Sequence, residues 1–118
     1  MEKMEDVKRF LTDFSIKLNL WNIIYRNDRG KNLQALLDLD ITPDKRTAII
    51  RQLLATDYSQ GPVNDTLHGG TQMWVFGKMH NEVEIYIKIT LGNPGASVIC
   101  ISFHKAEFPM KYPLKQLL

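Results

Sequence analysis

The clearest hydrophobic pattern lies in residues 82–91, where apolar and polar side chains alternate. Every odd position from Val83 to Leu91 is apolar, and the even positions from Glu82 to Thr90 carry the polar groups. Successive side chains of a β-strand point to opposite faces, so this alternation predicts a strand with one buried face and one polar face.

A second strand-like segment, residues 97–104, follows the turn-forming sequence Gly-Asn-Pro-Gly at 92–95. It repeats the alternation with Ile99, Ile101 and Phe103 on the odd face. We expect the two segments to form an antiparallel hairpin whose paired residue numbers sum to an even value, because a one-residue slip would bury charged side chains. This register places five side chains on one shared face: Glu84, Tyr86, Lys88, Ser102 and His104.

Helical spacing is found in the first half of the chain. In residues 5–20, apolar side chains recur at three- and four-residue steps, which predicts an amphipathic helix. Residues Lys31–Leu39 predict a shorter helix. A third should begin at Thr42-Pro43-Asp44, with threonine as N-cap and proline in the first helical position, and end near Ala55. Between the first two helices, the aromatic and β-branched residues 21–26 predict a short strand.

The segment 56–70 has no periodicity and is rich in turn-forming residues. We expect a long loop there, which in a small domain is more often functional than merely connective. Residues 72–78 predict another strand, and 105–118 an extended arm. The predicted fold is therefore a single α+β domain over 1–118 in the order α-β-α-α-β-β-β. Its antiparallel sheet would have helices on one face and the polar face open.

Composition and charge narrow the classes of protein to which the chain could belong. The chain has 118 residues, of which 44% are hydrophobic and 24% charged, as in an ordinary globular domain. Its net charge of +2 permits a polyanionic partner without requiring one. The single cysteine, Cys100, has no second cysteine for a disulfide, and no segment approaches the roughly 18 apolar residues of a membrane span. We therefore expect a cytoplasmic protein with no membrane association.

The three histidines do not suggest a metal site. His68, His80 and His104 fall in a loop, a turn and a strand end, without the spacing of metal ligands. We predict no metal and no cofactor.

The polar face of the predicted hairpin holds the strongest candidate chemistry. A solvated sheet face ordinarily carries Lys, Glu and Thr, whereas Tyr86 and His104 are less usual there. With Lys88 they bring a phenol, an imidazole and a cation within reach of one bound anion. RNA cleavage without metal needs such a set: a base for the 2′-hydroxyl, a cation for the phosphate and an acid for the leaving oxygen. Histidine is the side chain that ordinarily exchanges protons near neutral pH.

Other residues are candidates for RNA contacts. Arg26, Arg29 and Lys78 would add phosphate contacts, and Tyr58 and Trp74 would stack on bases of single-stranded RNA. Trp74 suits the hydrophobic core equally well.

The element order and four short segments resemble the motility quorum-sensing regulator (MqsR) toxins, a branch of the RelE-like bacterial toxins. The segments are Asp57-Tyr58, Met73-Trp74, Tyr86-Ile87-Lys88-Ile89 and Ile101-Ser102-Phe103-His104. Those toxins are small α+β ribonucleases that cut mRNA and are neutralised by a co-encoded antitoxin. The resemblance runs from the first helix to His104 and leaves the C-terminal arm outside. It implies a RelE-like fold, mRNA endoribonuclease activity, and mRNA and an antitoxin as partners.

The resemblance also assigns roles to positions. The family's catalytic tyrosine falls on Tyr86, and its lysine after the Ser-Phe pair falls on His104, with Lys105 one step further. The lysine after the Asp-Tyr segment falls near Gln60, and the glutamine after the tryptophan falls on Val75. The catalytic candidates are thus His104, Tyr86 and Lys88. The candidates for RNA contacts are Gln60, Tyr58, Lys78, Arg26 and Lys105.

Two alternatives remain open at the level of sequence. Gln60 and Val75 depart from the family pattern and the net charge is modest, which favours a non-catalytic module that binds a protein by strand addition. An RNA-binding domain without cleavage would instead show salt-dependent affinity and intact RNA.

Overall fold

In a computed structural model of the chain, three helices accompany one five-stranded sheet within the described residues, which are 2–26, 31–64 and 72–115. The helices are α1 (Glu2–Trp21), α2 (Lys31–Leu39) and α3 (Pro43–Arg51), with a 3-10 helix at Ala55–Asp57. The strands are β1 (Ile23–Tyr25), β2 (Tyr58–Val63), β3 (Met73–His80), β4 (Val83–Thr90) and β5 (Val98–Lys105). The α+β class is confirmed. Among the described helices, none is long and apolar enough to cross a membrane.

The sheet is mixed rather than antiparallel, in the order β1-β5-β4-β3-β2. Strands β3, β4 and β5 form the expected antiparallel meander. Strand β1 lies beside β5 but runs parallel to it, with Ile23 opposite Val98. A parallel pair requires a long connection, which the chain between these strands supplies. The prediction of a wholly antiparallel sheet was therefore wrong at this edge.

The predicted loop 56–70 contains an edge strand that sequence reasoning missed. Strand β2 pairs with β3 through Tyr58 opposite Phe76 and Gln60 opposite Val75, with register shifts along its length. Those irregularities, and a Gly-Pro pair inside the strand, hide the period-two pattern. Proline is tolerated here because an edge strand has one side free of ladder hydrogen bonds. Residues 65–70 of the predicted loop, including His68, lie outside the described part.

The helices follow their sequence patterns with shifted ends. In α3, the Thr42 side chain accepts a hydrogen bond from the Lys45 amide at 3.2 Å, as predicted for an N-cap. This helix ends at Arg51, short of the predicted Ala55, because the Gln52 amide bonds back to the carbonyl of Ile49 in a tightened last turn.

The core lies between the helices and one face of the sheet. Ile85, Ile87 and Ile89 of β4 are fully buried, as the alternation predicted. They belong to one cluster with Phe10 and Phe14 of α1. Burial of such side chains supplies the main driving force for folding. The helices therefore pack against the odd face of β4.

Strand β5 departs from its predicted alternation through an irregularity in its pairing with β4 near Ile101. An extra residue on one strand reverses the facing of the side chains beyond it. Cys100 and Phe103, three positions apart, are consequently both fully buried, and Val98 joins them in the core. The prediction that Ile99 and Ile101 face the core was wrong, since neither belongs to the core cluster.

The C-terminal arm crosses the polar face, which was predicted to be open. It is held through Glu84: the Ala106 amide donates to the Glu84 carbonyl at 2.9 Å. The Met110 amide donates to Oε1 of the same residue at 3.0 Å, and the Tyr112 hydroxyl to Oε2 at 2.6 Å. Beyond these contacts, Leu114 is buried in the main core. The arm is thus an integral part of the fold.

Gly77 in the middle of β3 makes room for the arm. A Cβ built at this position would overlap the hydroxyl group of Tyr112. Glycine inside a strand often marks such a close approach by another part of the chain. Burial and the Glu84 carboxylate raise the pKa of Tyr112, so its hydroxyl stays protonated and continues to donate.

Replacing Gly77 by alanine tests this contact. We expect Gly77→Ala to lower the free energy of unfolding by about 1–3 kcal/mol, because the methyl group overpacks the site. In a Tyr112→Ala background the same change should cost less than about 0.5 kcal/mol, since the obstacle is gone. Chemical denaturation of the four proteins in this cycle measures both values. Equal costs in the two backgrounds would contradict the contact.

Candidate functional site

The candidate site lies on the face of β4 opposite the one that packs against α1. Helix α2 borders this site at one end, where Gln34, Ala35 and Asp38 line a hollow with His104. Tyr86 of β4 is paired with His104 of β5, and Lys88 with Ser102. These paired numbers sum to an even value, as predicted. Directly opposite residues of an antiparallel pair share one face, so the four side chains lie side by side. Beyond the irregularity the prediction was wrong, since Ile89 pairs with Cys100 and Thr90 with Ile99, with odd sums.

A cleft of about 570 Å³ opens between this face and the C-terminal arm. Tyr86, Lys88, Ser102 and His104 form part of its floor, and residues 106–111 of the arm form one wall. Ser59, Gln60 and Val75 extend the floor toward β2. A concave site bounded by polar and apolar groups is the usual setting for ligand binding.

The rings of Tyr86 and His104 stack in this cleft. Their centroids are 5.1 Å apart and their planes differ by 10°. Burial raises the pKa of Tyr86, because the charged phenolate would be poorly solvated there. At neutral pH the phenol therefore remains protonated and acts as a hydrogen-bond or proton donor rather than as a base.

The imidazole of His104 is oriented by the main chain. Its Nδ1 lies 2.8 Å from the carbonyl oxygen of Lys105. A carbonyl oxygen only accepts hydrogen bonds, so Nδ1 carries the proton in this contact. In the neutral ring Nε2 is then the unprotonated nitrogen. That tautomer leaves Nε2 able to accept a proton from a bound molecule and later return it.

Lys88 supplies a positive charge on the floor of the cleft, on the strand that carries Tyr86. Its Nζ lies 6.0 Å from the centroid of the Tyr86 ring. Within residues 2–26, 31–64 and 72–115, no carboxylate lies within ion-pair distance of this ammonium group. The cleft therefore offers an uncompensated cation next to a proton donor and a proton acceptor.

Gln60 lines the cleft, but the two predicted base-stacking rings do not. Tyr58 is only 6% exposed and its hydroxyl donates to the Gly61 carbonyl at 2.6 Å. Trp74 is 7% exposed and stacks on Phe10 at a centroid distance of 5.0 Å. Both rings belong to the hydrophobic core. For Trp74 this was one of the two positions that the sequence left open.

The remaining predicted RNA contacts lie away from the cleft. Lys78 is on the helix-bearing face, where its ammonium pairs with Asp57 at 3.1 Å. Lys105 is the last residue of β5 and does not line the cleft. Arg26 follows β1, which lies on the opposite side of β5 from β4. Arg29 lies outside the described residues. The structure thus brings together Tyr86, Lys88, His104 and Gln60 and not the other four predicted positions, Tyr58, Lys78, Arg26 and Lys105.

Sequence reasoning missed the arm as part of the site. The cleft wall formed by the arm includes Phe108, Met110 and Lys111, for which the sequence predicts only an extended arm. The available signal was Phe108, a large apolar residue in a stretch with no helical or strand period.

Two other kinds of chemistry find no support in the described residues. Cys100 is fully buried, and burial raises the pKa of its thiol to about 12, so it is not an accessible nucleophile. No group of three or more His, Cys, Asp or Glu side chains converges there in a way that would hold a metal ion.

No protein-family model, curated protein or solved structure matches this chain. The resemblance to the MqsR toxins therefore rests on the short segments quoted above.

Removing the Glu84 side chain tests how the arm wall is held. In Glu84→Ala the Met110 amide loses a charged acceptor, and such hydrogen bonds are worth enough to speed its exchange roughly 10- to 100-fold. Hydrogen exchange followed by NMR measures this rate. Glu5→Ala, an exposed glutamate on α1, is the matched control and should leave it unchanged. Unaltered Met110 exchange in Glu84→Ala would show that the arm is held by other contacts.

Proposed function

We propose that this chain is an endoribonuclease that cuts single-stranded RNA, in particular mRNA, without a metal ion. The observation that carries the proposal is the stacked pair Tyr86–His104 beside Lys88 on the floor of one cleft. These three groups are a proton donor, a proton acceptor and a cation. Cleavage of RNA by its own 2′-hydroxyl group requires that combination.

The proposed reaction begins at the 2′-hydroxyl. Nε2 of His104 takes the proton, and the 2′-oxygen forms a bond to the adjacent phosphorus. The bond from phosphorus to the 5′-oxygen breaks, and this oxygen takes a proton from the Tyr86 hydroxyl. The products are a 2′,3′-cyclic phosphate and a 5′-hydroxyl end. Return of the proton from the imidazolium to the phenolate through water restores the site.

Lys88 has an electrostatic role in this scheme. Negative charge increases on the phosphate oxygens as the 2′-oxygen attacks, and a fixed ammonium stabilises that charge more than it stabilises the starting phosphate. The partial enclosure of the cleft by the arm strengthens this interaction, because water screens it less.

The proposal extends to a biological role by way of the resemblance stated above. A RelE-like toxin of a type II toxin–antitoxin system would have mRNA as substrate and a co-encoded antitoxin as partner. Expression of the chain alone should then arrest growth, and co-expression of the neighbouring gene's product should relieve the arrest.

The catalytic assignment is tested by cleavage of mRNA in EDTA. We expect wild-type protein to cut, and His104→Ala and Tyr86→Phe to cut roughly 10²-fold more slowly or worse, as for a lost general base or acid. His80→Ala is the matched control, because His80 ends β3 and does not line the cleft. Its rate should equal that of wild type.

His104→Ala removes an imidazole and Tyr86→Phe only a hydroxyl group from a surface cleft, so circular dichroism should show native folding in each. Equal cleavage rates for wild type and His104→Ala would falsify the assignment.

A second candidate function is a non-catalytic module that binds a protein partner by strand addition. It is favoured by β2, whose outer edge lies at the end of the sheet, with no further strand beside it among the described residues. A folded protein that leaves RNA intact and does not arrest growth would support this function over cleavage.

A further inference from the structure

A short loop of the arm displays an aromatic side chain in the cleft. The Ala106 and Met110 amides both bind Glu84, so the loop between them is held at its two ends. Phe108 lies in that loop, lines the cleft and is 77% exposed. Exposure of a large apolar ring is unfavourable in water, and an aromatic ring held at the rim of a cleft is suited to a ligand with a flat apolar surface.

The floor beside this loop has a defined order across the sheet. Gln60 of β2 is paired with Val75 of β3, and Val75 with Lys88 of β4. The three residues therefore form one row over adjacent strands, with Gln60 about 10 Å from Lys88 in backbone position. Val75 lies between this amide and this cation and lines the cleft with the small part of its side chain that is accessible.

This arrangement matches the parts of a nucleotide. A phosphate would bind Lys88, and the attached or neighbouring base would extend over Val75 toward Gln60. The Gln60 amide has both donors and an acceptor for the edge of a base, and single-stranded RNA is commonly held by stacking on aromatic side chains. The arm wall carries one acidic and one basic side chain, Glu107 and Lys111, so its charge does not select a second phosphate, and the Phe108 ring favours a base on that side.

We propose that Phe108, Val75 and Gln60 form a nucleobase-binding subsite for the base next to the cleaved phosphate of single-stranded RNA. In this assignment Phe108 stacks on the base, Val75 supports it and Gln60 contacts its edge. The subsite rests on the proposed function for its alignment with the scissile phosphate at Lys88. Base binding itself does not require cleavage.

Binding of uncleavable probes tests the subsite. Short single-stranded 2′-deoxy oligonucleotides of adenine, cytosine or thymine alone lack the attacking hydroxyl, so fluorescence anisotropy reports binding only. Phe108→Ala should weaken binding roughly 5- to 100-fold, the range for loss of one base–aromatic stack. Gln60→Ala should reduce the difference in affinity among the three probes.

Leu37→Ala is the matched control, because Leu37 on α2 is 76% exposed and does not line the cleft. It should bind all three probes as wild type does. Phe108 is exposed, so its replacement should leave the circular dichroism spectrum unchanged.

The outcomes separate the subsite from the proposed function. Base-dependent probe binding that Phe108→Ala weakens, with RNA left intact, supports the subsite and overturns cleavage. RNA cleavage together with unchanged probe affinity in both Phe108→Ala and Gln60→Ala overturns the subsite alone. Failure of wild type to bind any probe overturns the subsite as well. If Phe108→Ala instead weakens the binding of a protein partner, the ring belongs to a protein interface and the subsite is overturned.

Discussion

Burial of Ile85, Ile87 and Ile89 determines the face on which the alternate side chains of β4 lie. Because the period of a strand is two, packing these residues against α1 sends Tyr86 and Lys88 to the opposite face. A slip of one residue would bury both polar side chains in the core and expose the isoleucines, and both changes would destabilise the fold. The hydrophobic requirement of the core thus fixes the position of the polar groups, and the pairing of Tyr86 with His104 follows from it.

The arm converts this flat face into a cleft, and Glu84 is the residue through which it does so. The polar side chains of β4 therefore have different roles at different positions along the strand. Glu84 is occupied by the arm, with its carboxylate bound to the Met110 amide and the Tyr112 hydroxyl, whereas Lys88 faces the cleft without a carboxylate partner among the described residues. Gly77 permits the crossing, since any side chain there would displace Tyr112.

The sequence predicted those features that depend on local pattern and missed those that depend on tertiary contacts. Alternation in β4 identified the polar face, and the even pairing rule placed Tyr86 beside His104. The irregularity near Ile101 was not visible, because the run 98–101 before it is apolar throughout and suits either face. Strand β2 was missed because its Gly-Pro pair resembles a loop. The prediction that Tyr58 stacks on RNA bases was wrong, because an aromatic residue suits both a core and a stacking surface and only its tertiary packing distinguishes the two.

The proposed reaction is cleavage of RNA in the cleft beside Tyr86 and His104, by attack of the RNA's own 2′-hydroxyl group on the adjacent phosphorus. The most direct measurement compares a short RNA that the protein cleaves at one position with the same RNA carrying a single 2′-deoxy sugar on the 5′ side of that position, both in EDTA. We expect a 2′,3′-cyclic phosphate end from the first, detected by mass spectrometry, and no cleavage at that position in the second. Cleavage of the deoxy substrate at the same position would contradict attack by the 2′-hydroxyl.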